Sequence, residues 1–156
     1  MNDTMAPRAV NKPVWLLLLM LAASFMYLAV SSPSADLSDW GDDLDDALRE
    51  SSKSGHPVLV AFYMPGCTPC RIMDRTVLSH ADVKRTLQDF VPVRLDATVR
   101  TDLARRYEVQ FTPTFAVVDS HGRLLSKCEG TLTIEEFVQF LKRASGVLTL
   151  PRGAGT

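Results

Sequence analysis

Apolar positions along the first third of the chain fall into two unlike patterns. From Val14 to Val30 they are continuous, VWLLLLMLAASFMYLAV, with no charge in seventeen residues. A run of that length sits at the lower limit for a membrane span and slightly above the usual apolar region of a signal peptide. It is apolar all round and has no polar stripe, so it does not read as the buried helix of a soluble domain. After a polar stretch, SSPSADLS, the spacing changes: Leu37, Trp40, Leu44 and Leu48 recur every three or four residues, which predicts an amphipathic helix running to about Lys53. Its aspartates read as a solvated face, not as a metal site.

Beyond Ser54-Gly55-His56-Pro57 the period changes again. VLVAFY (58–63) is a short run of β-formers bounded by turn residues, the mark of a strand buried on both faces. A helical pattern resumes with Ile72, Met73, Val77 and Leu78. Ser79-His80-Ala81-Asp82 reads as a capping box with Ser79 at the cap, opening a helix that presents Val83, Leu87 and Phe90. VPVRLDA (91–97) predicts the next strand and residues 101–107 the next helix. TFAVVD (114–119), the turn Ser120-His121-Gly122 and RLLSKCE (123–129) form an expected hairpin. Thr133 to Glu136 is a second capping box, opening a helix with Ile134, Phe137, Val138 and Leu141 inward and Gly146 as its stop.

Strands alternating with helices and closing on a hairpin predict an α/β domain: a central mixed β-sheet with helices on both faces. One N-terminal transmembrane or signal helix is added to it. The expected division is a flank at 1–13, the anchor or signal at 14–30, a linker at 31–38, the domain at 39–146 and a flexible tail at 147–156.

Composition narrows the partners. The chain has 156 residues, 46% of them apolar, with 17 basic and 18 acidic side chains and a formal net charge of −1. That balance provides no field to draw in nucleic acid, which is excluded as a partner. Its distribution says more. Arg8 and Lys12 precede the apolar run, and Asp36, Asp39, Asp42, Asp43, Asp45 and Asp46 follow it, so the basic flank stays in the cytoplasm and the domain faces outward. The long apolar run favours an uncleaved anchor in a bacterial inner membrane with the domain in the periplasm. Cleavage near Ala29-Val30-Ser31 or after Ala35, releasing a periplasmic protein, is the alternative.

Only three cysteines occur, Cys67, Cys70 and Cys128, too few for a disulfide-stapled scaffold. Cys67 and Cys70 fall in MPGCTPC, where the central strand hands over to a helix. A cysteine at a helix start meets unpaired N–H groups and the positive end of the dipole, which favour thiolate over thiol, so Cys67 is the candidate nucleophile. Cys70, one turn on, is placed to resolve a mixed disulfide formed at Cys67, and the exchange needs no metal or organic cofactor. Pro69 breaks no helical bond in the first turn and helps hold it, and Thr68 and Pro69 together should tune the reduction potential.

The same CxxC could be half of a zinc site, but Cys128, His56, His80 and His121 provide no second close pair. Cys128 reads as a partly buried strand residue, with an exposed, regulatory thiol as the sharper alternative. The histidines read as solvent-facing, Trp40 and Phe62 as core, and Asp74 as a solvated helix residue. Arg71 adds a small surface charge near Cys70.

A further element is Phe111-Thr112-Pro113-Thr114, a proline at a strand start where a cis bond would be a specified feature. A buried strand, CxxC at a helix start, TPT before a hairpin and Gly130 before a last helix together resemble the thioredoxin fold. The words HPVLVAFYMPGCTPCRIMDRTVLSHADVKRTL, VPVRLDAT, LARRYEVQFTPTFAVVDSHG and EGTLTIEEFVQFL resemble the C-terminal domain of the bacterial transmembrane thiol:disulfide interchange reductase and related periplasmic thioredoxin-like proteins. The likeness covers about residues 39–144. It implies that Cys67 attacks, Cys70 resolves, Pro113 is a cis-proline beside them and the backbone of Thr112 pairs with an extended substrate segment.

Two departures stand out. Ala61 occupies the position of thioredoxin's buried aspartate, and Met64-Pro65-Gly66 replaces its tryptophan-ending stretch. The expected function is a thiol:disulfide oxidoreductase that reduces or exchanges disulfides of exported proteins through the Cys67–Cys70 pair, recharged by a membrane or periplasmic electron donor. A peptide-binding or chaperone-like module using the groove beside Pro113, with incidental redox activity, is the alternative.

Overall fold

The computed structural model describes residues 39–149 and Met20, and the fold belongs to the unit Ala35–Thr156. The expected flank at 1–13, the anchor at 14–30 apart from Met20, the linker at 31–38 and residues 150–156 lie outside the described residues. Among the described residues no helix is long and apolar enough to cross a membrane.

The elements run α1 (Leu44–Ser54), β1 (Val58–Tyr63), α2 (Thr68–Met73) continuing through a π-helical turn (Asp74–Leu78), α3 (Ala81–Leu87), β2 (Val91–Asp96), α4 (Thr101–Arg106), β3 (Thr114–Val118), β4 (Leu124–Glu129) and α5 (Ile134–Thr149). The sheet has the order β2-β1-β3-β4. β1 and β2 are parallel, with Ala61 opposite Arg94, while β3 is antiparallel to both β1 and β4. The sheet is therefore mixed, as the sequence pattern implies.

The run VLVAFY is buried because its two faces feed two cores. Val58, Val60 and Phe62 join Ala116, Val118, Val93 and Leu95 against Leu44 and Ala47 of α1 and Leu103 of α4. Leu59 and Ala61 join Phe115 and Val117 against Met73, Val77, Val83, Phe137 and Leu141. Within that second core Phe115 and Phe137 meet edge to face, ring centroids 4.8 Å apart, worth roughly 0.5–1.5 kcal/mol beyond area burial. β2 shows the same alternation, with Val93 and Leu95 turned into the first core, so Arg94 stands on the face that carries α2.

Four local expectations are corrected. The first helix begins at Leu44, capped by the Asp43 carboxylate at 3.0 Å from the Asp46 N–H. The segment before it is drawn to the sheet instead: Gly41 bridges to Val93, its N–H and carbonyl bonding Pro92 O and Arg94 N, and Trp40 packs on the core from outside the helix. The cap of α3 is His80, whose Nδ1 accepts from the Asp82 N–H, because the Ser79 hydroxyl is already donated to Arg75 O in the preceding turn. Ile72 is half exposed while Met73, Val77 and Leu78 are buried. The widened π turn lets both Val77 and Leu78 follow Met73 inward, which a regular helix could not do as well. Finally, Gly146 does not stop α5, which continues to Thr149. A glycine inside a helix costs about 1 kcal/mol and does not by itself end it.

Candidate active site

Two local devices deliver the cysteines to the C-terminal end of β1. Met64-Pro65-Gly66-Cys67 closes as a turn, the Cys67 N–H donating to Met64 O at 3.3 Å, with Gly66 at φ +79°. Proline then glycine at the two central positions is the type II combination, and a side chain at Gly66 would be strained. Cys67 follows as the N-cap of α2 in extended conformation, with Pro69 in the first turn. The Cys70 N–H, an orphan donor of that turn, points at Cys67 Sγ from 3.1 Å.

Cys67 and Cys70 form a disulfide, Cα atoms 5.3 Å apart. Their surroundings differ. Cys67 is half-buried, whereas Cys70 is 4% exposed and covered by the core. Thr112 approaches from the other side: its hydroxyl donates to Cys67 Sγ at 3.5 Å and its carbonyl lies 3.6 Å from the same sulfur. The disulfide carries no proton for that carbonyl, so the contact becomes an S–H···O bond only with the reduced thiol. Once the disulfide opens, two donors face Cys67 Sγ and stabilise its thiolate.

The peptide bond Thr112–Pro113 is cis, Pro113 is buried, and the Pro113 carbonyl accepts from Gly130 N at 2.8 Å. Thr68 and Pro69 are exposed at the start of α2, with the Thr68 hydroxyl held by Arg71 Nη2 at 3.2 Å. The residues singled out in the sequence, Cys67, Thr68, Pro69, Cys70, Thr112 and Pro113, thus meet in one place. Phe111, Met64 and Ile72 leave apolar side chains exposed near these elements.

Asp74 departs from expectation. It is about four-fifths buried and pairs with Arg94 Nη2 at 2.8 Å, while the Arg94 guanidinium lies over the Tyr63 ring at 4.4 Å. Arg94 escaped the sequence reading. Its signal was a charge between inward-facing Val93 and Leu95, on the strand face that α2 covers.

The remaining chemical candidates lie elsewhere. His56 is exposed at the far end of β1 from Cys67, His121 is exposed in the hairpin turn, and half-buried His80 caps α3. Cys128 is a free thiol on β4, opposite Phe115 and packed on the second core. Burial pushes that thiol up to about 12.

A family profile described as a thioredoxin-like domain matches residues 44–145. This chain belongs to the thioredoxin-like family. Thioredoxin Y2, chloroplastic, of Arabidopsis thaliana is 33% identical over 104 residues, 66% of this chain and 58% of that protein. The thiol:disulfide interchange protein DsbD of Ralstonia nicotianae is 28% identical over 109 residues, covering 67% of this chain and 18% of its own length. Among solved structures, a thioredoxin from Thermus thermophilus superposes with a TM-score of 0.62 at 30% identity, over 68% of this chain and 85% of its own. The resemblance to thioredoxins and to the interchange reductase is borne out, although the chain spans less than three-fifths of the length of these two curated relatives. Residues 44–145 form a thioredoxin-like domain of the thiol:disulfide oxidoreductase type, with both cysteines of its exchange pair in place.

Proposed function

We propose that the chain is a membrane-anchored thiol:disulfide oxidoreductase of the bacterial periplasm that reduces or exchanges disulfides of exported proteins. The observation that carries the exchange reaction is the asymmetry of the two sulfurs. Cys67 is reachable and has two donors aimed at it, and Cys70 is shielded one turn behind. A partner disulfide can therefore be attacked only by Cys67, and Cys70 then displaces the partner's thiol by forming the internal disulfide. Thr112 offers its backbone beside Cys67 for an extended substrate segment, while Thr68 and Pro69 shape the turn that sets the potential.

The location is supported by the sequence alone: residues 14–30 form the apolar anchor, and the basic flank before them against the acidic flank after them places the domain outside. An electron donor in the membrane or periplasm regenerates the dithiol. Equilibrating the full chain with glutathione buffers tests the direction. A potential near thioredoxin's, about −270 mV, is expected, and one near −120 mV would reverse the role to that of an oxidant.

A further inference from the structure

The resolving step raises a proton problem that the geometry of Cys70 makes acute. To attack, its thiol must become a thiolate, yet at 4% exposure bulk water does not reach it. Beneath it lies a small cavity of about 10 Å³, room for the centre of one water molecule, walled in part by Ala61, Tyr63, Cys70, Asp74, Arg94 and Pro113. Ala61 contributes only a methyl group and Pro113 only ring carbons. Among the residues lining this cavity Asp74 is the sole carboxylate.

Asp74 stands one helical turn beyond Cys70, its N–H bonded to Cys70 O, so the two side chains share a face. Arg94 reaches across from β2, where it is paired with Ala61, and fixes the carboxylate from the far side through Oδ2 at 2.8 Å. The guanidinium is itself held against the ring of Tyr63. The charged and titratable groups facing Asp74 are thus Arg94 from β2, Tyr63 from β1 and Cys70 on its own helix.

We propose that Asp74 accepts the Cys70 proton in the resolving step, through one water in this cavity, and that Arg94 is the residue that positions it. In the mixed disulfide between Cys67 and a partner, the Cys70 S–H passes its proton to the water, which passes one to the Asp74 carboxylate. The Cys70 thiolate attacks Cys67 Sγ, the Cys67–Cys70 bond forms, and the bond to the partner breaks. The electron pair leaves on the partner's sulfur, which takes up a proton from solvent. The dithiol is oxidised by two electrons and the partner disulfide is reduced. Asp74, with about one-fifth of its side chain exposed, then returns its proton to bulk water.

This inference rests on the exchange reaction proposed above, and the two can fail separately. The reduced full chain is mixed with a substoichiometric aromatic disulfide, dithiobis(nitrobenzoate), whose two thiolates are released in sequence: the first when Cys67 attacks, the second when Cys70 resolves. Asp74→Asn should leave the first phase unchanged and slow the second roughly a hundredfold near pH 7, the lower end of the scale of a lost general base. Its second phase should then climb about tenfold per pH unit as hydroxide takes over, while the wild-type profile stays flatter. Asp74→Glu, which keeps the carboxylate, should stay within about threefold of wild type. Equal resolution rates in wild type and Asp74→Asn, or equal slowing in Asp74→Asn and Asp74→Glu, would overturn the role of Asp74 and leave the exchange reaction standing. Absence of a first phase in the wild-type chain would remove the exchange reaction and this step with it.

Discussion

The Thr112 hydroxyl provides a direct test of how the second loop tunes the first cysteine. It donates to Cys67 Sγ at 3.5 Å, alongside the Cys70 N–H at 3.1 Å. A hydrogen bond to a charged acceptor contributes about 1.5–3 kcal/mol, and the length of this one and the half-exposed site reduce that to about 1 kcal/mol. The thiolate gains more from the donor than the neutral disulfide sulfur does, so the bond favours the dithiol and raises the reduction potential. Thr112→Val deletes the donor at nearly constant shape and leaves the Thr112 carbonyl in place. For a two-electron couple 30 mV corresponds to about 1.4 kcal/mol, so the potential should become about 20 mV more negative. Equilibration of the variant and wild type in the same glutathione buffers, with the oxidised fraction read by mass after thiol trapping, measures the difference. A shift below about 5 mV, or one towards more positive values, would refute the claim that this hydroxyl stabilises the thiolate.

Two other sites carry their own tests. Burial pushes the Asp119 carboxyl up, but the Arg123 backbone N–H, the Arg123 side chain and the His121 N–H together outweigh it and hold it below its ordinary 3.8. Asp119→Asn keeps an oxygen for the two N–H donors and loses the charge that faces Arg123, so it should cost about 1–2 kcal/mol in urea unfolding near neutral pH. Because the folded value is the lower one, the wild-type advantage should be complete above the ordinary aspartate range and shrink as pH falls through and below about 3.9; a deficit constant down to about pH 3 would exclude this origin. Cys128, with its thiol near 12 against an ordinary 9.0, should carry thiolate at only about one part in ten thousand at pH 8. Its alkylation by iodoacetamide should be about a thousandfold slower than in urea-unfolded chain, and comparable rates in the two states would show that the strand leaves it open.

Much of the architecture was legible because it rests on short-range patterns with one reading. VLVAFY is too short for a helix and too apolar for an edge, so it had to be a central strand, and both its faces are filled. The CxxC followed directly, and its position relative to the helix start needed only the turn residues Pro65 and Gly66. The misreadings arose where two local signals competed and tertiary contacts chose between them. Trp40 fits the helical spacing of Leu44 and Leu48, yet the sheet captures the backbone at Gly41 first. Ser79 and His80 can both cap a helix, and the choice fell to His80 because the preceding π turn used the serine hydroxyl. Asp74 reads as solvated from its own helix alone. Its partner, Arg94, lies 20 residues away on a neighbouring strand, and a pairing of that kind becomes visible only once β1 and β2 are placed in register.

The order of attack proposed for the exchange pair rests on this same placement, without appeal to different intrinsic chemistry in the two thiols. Cys67 is outside the first helical turn, where its sulfur meets solvent, a backbone N–H and a hydroxyl. Cys70 is inside it, turned towards the sheet, its own N–H directed at the other sulfur. Exchanging the roles would require the partner to reach a sulfur that the core covers and Cys67 to resolve from the exposed side. The third thiol differs in its surroundings: Cys128 sits opposite Phe115 in the sheet, partly buried against the second core, where burial keeps it protonated. The β1-to-α2 junction therefore gives Cys67 and Cys70 the unequal burial and donor geometry that the proposed exchange uses, while Cys128 stands apart on β4. The chemistry left for side chains to supply is one proton acceptor for Cys70, which the β2 arginine holds in position on α2's own continuation.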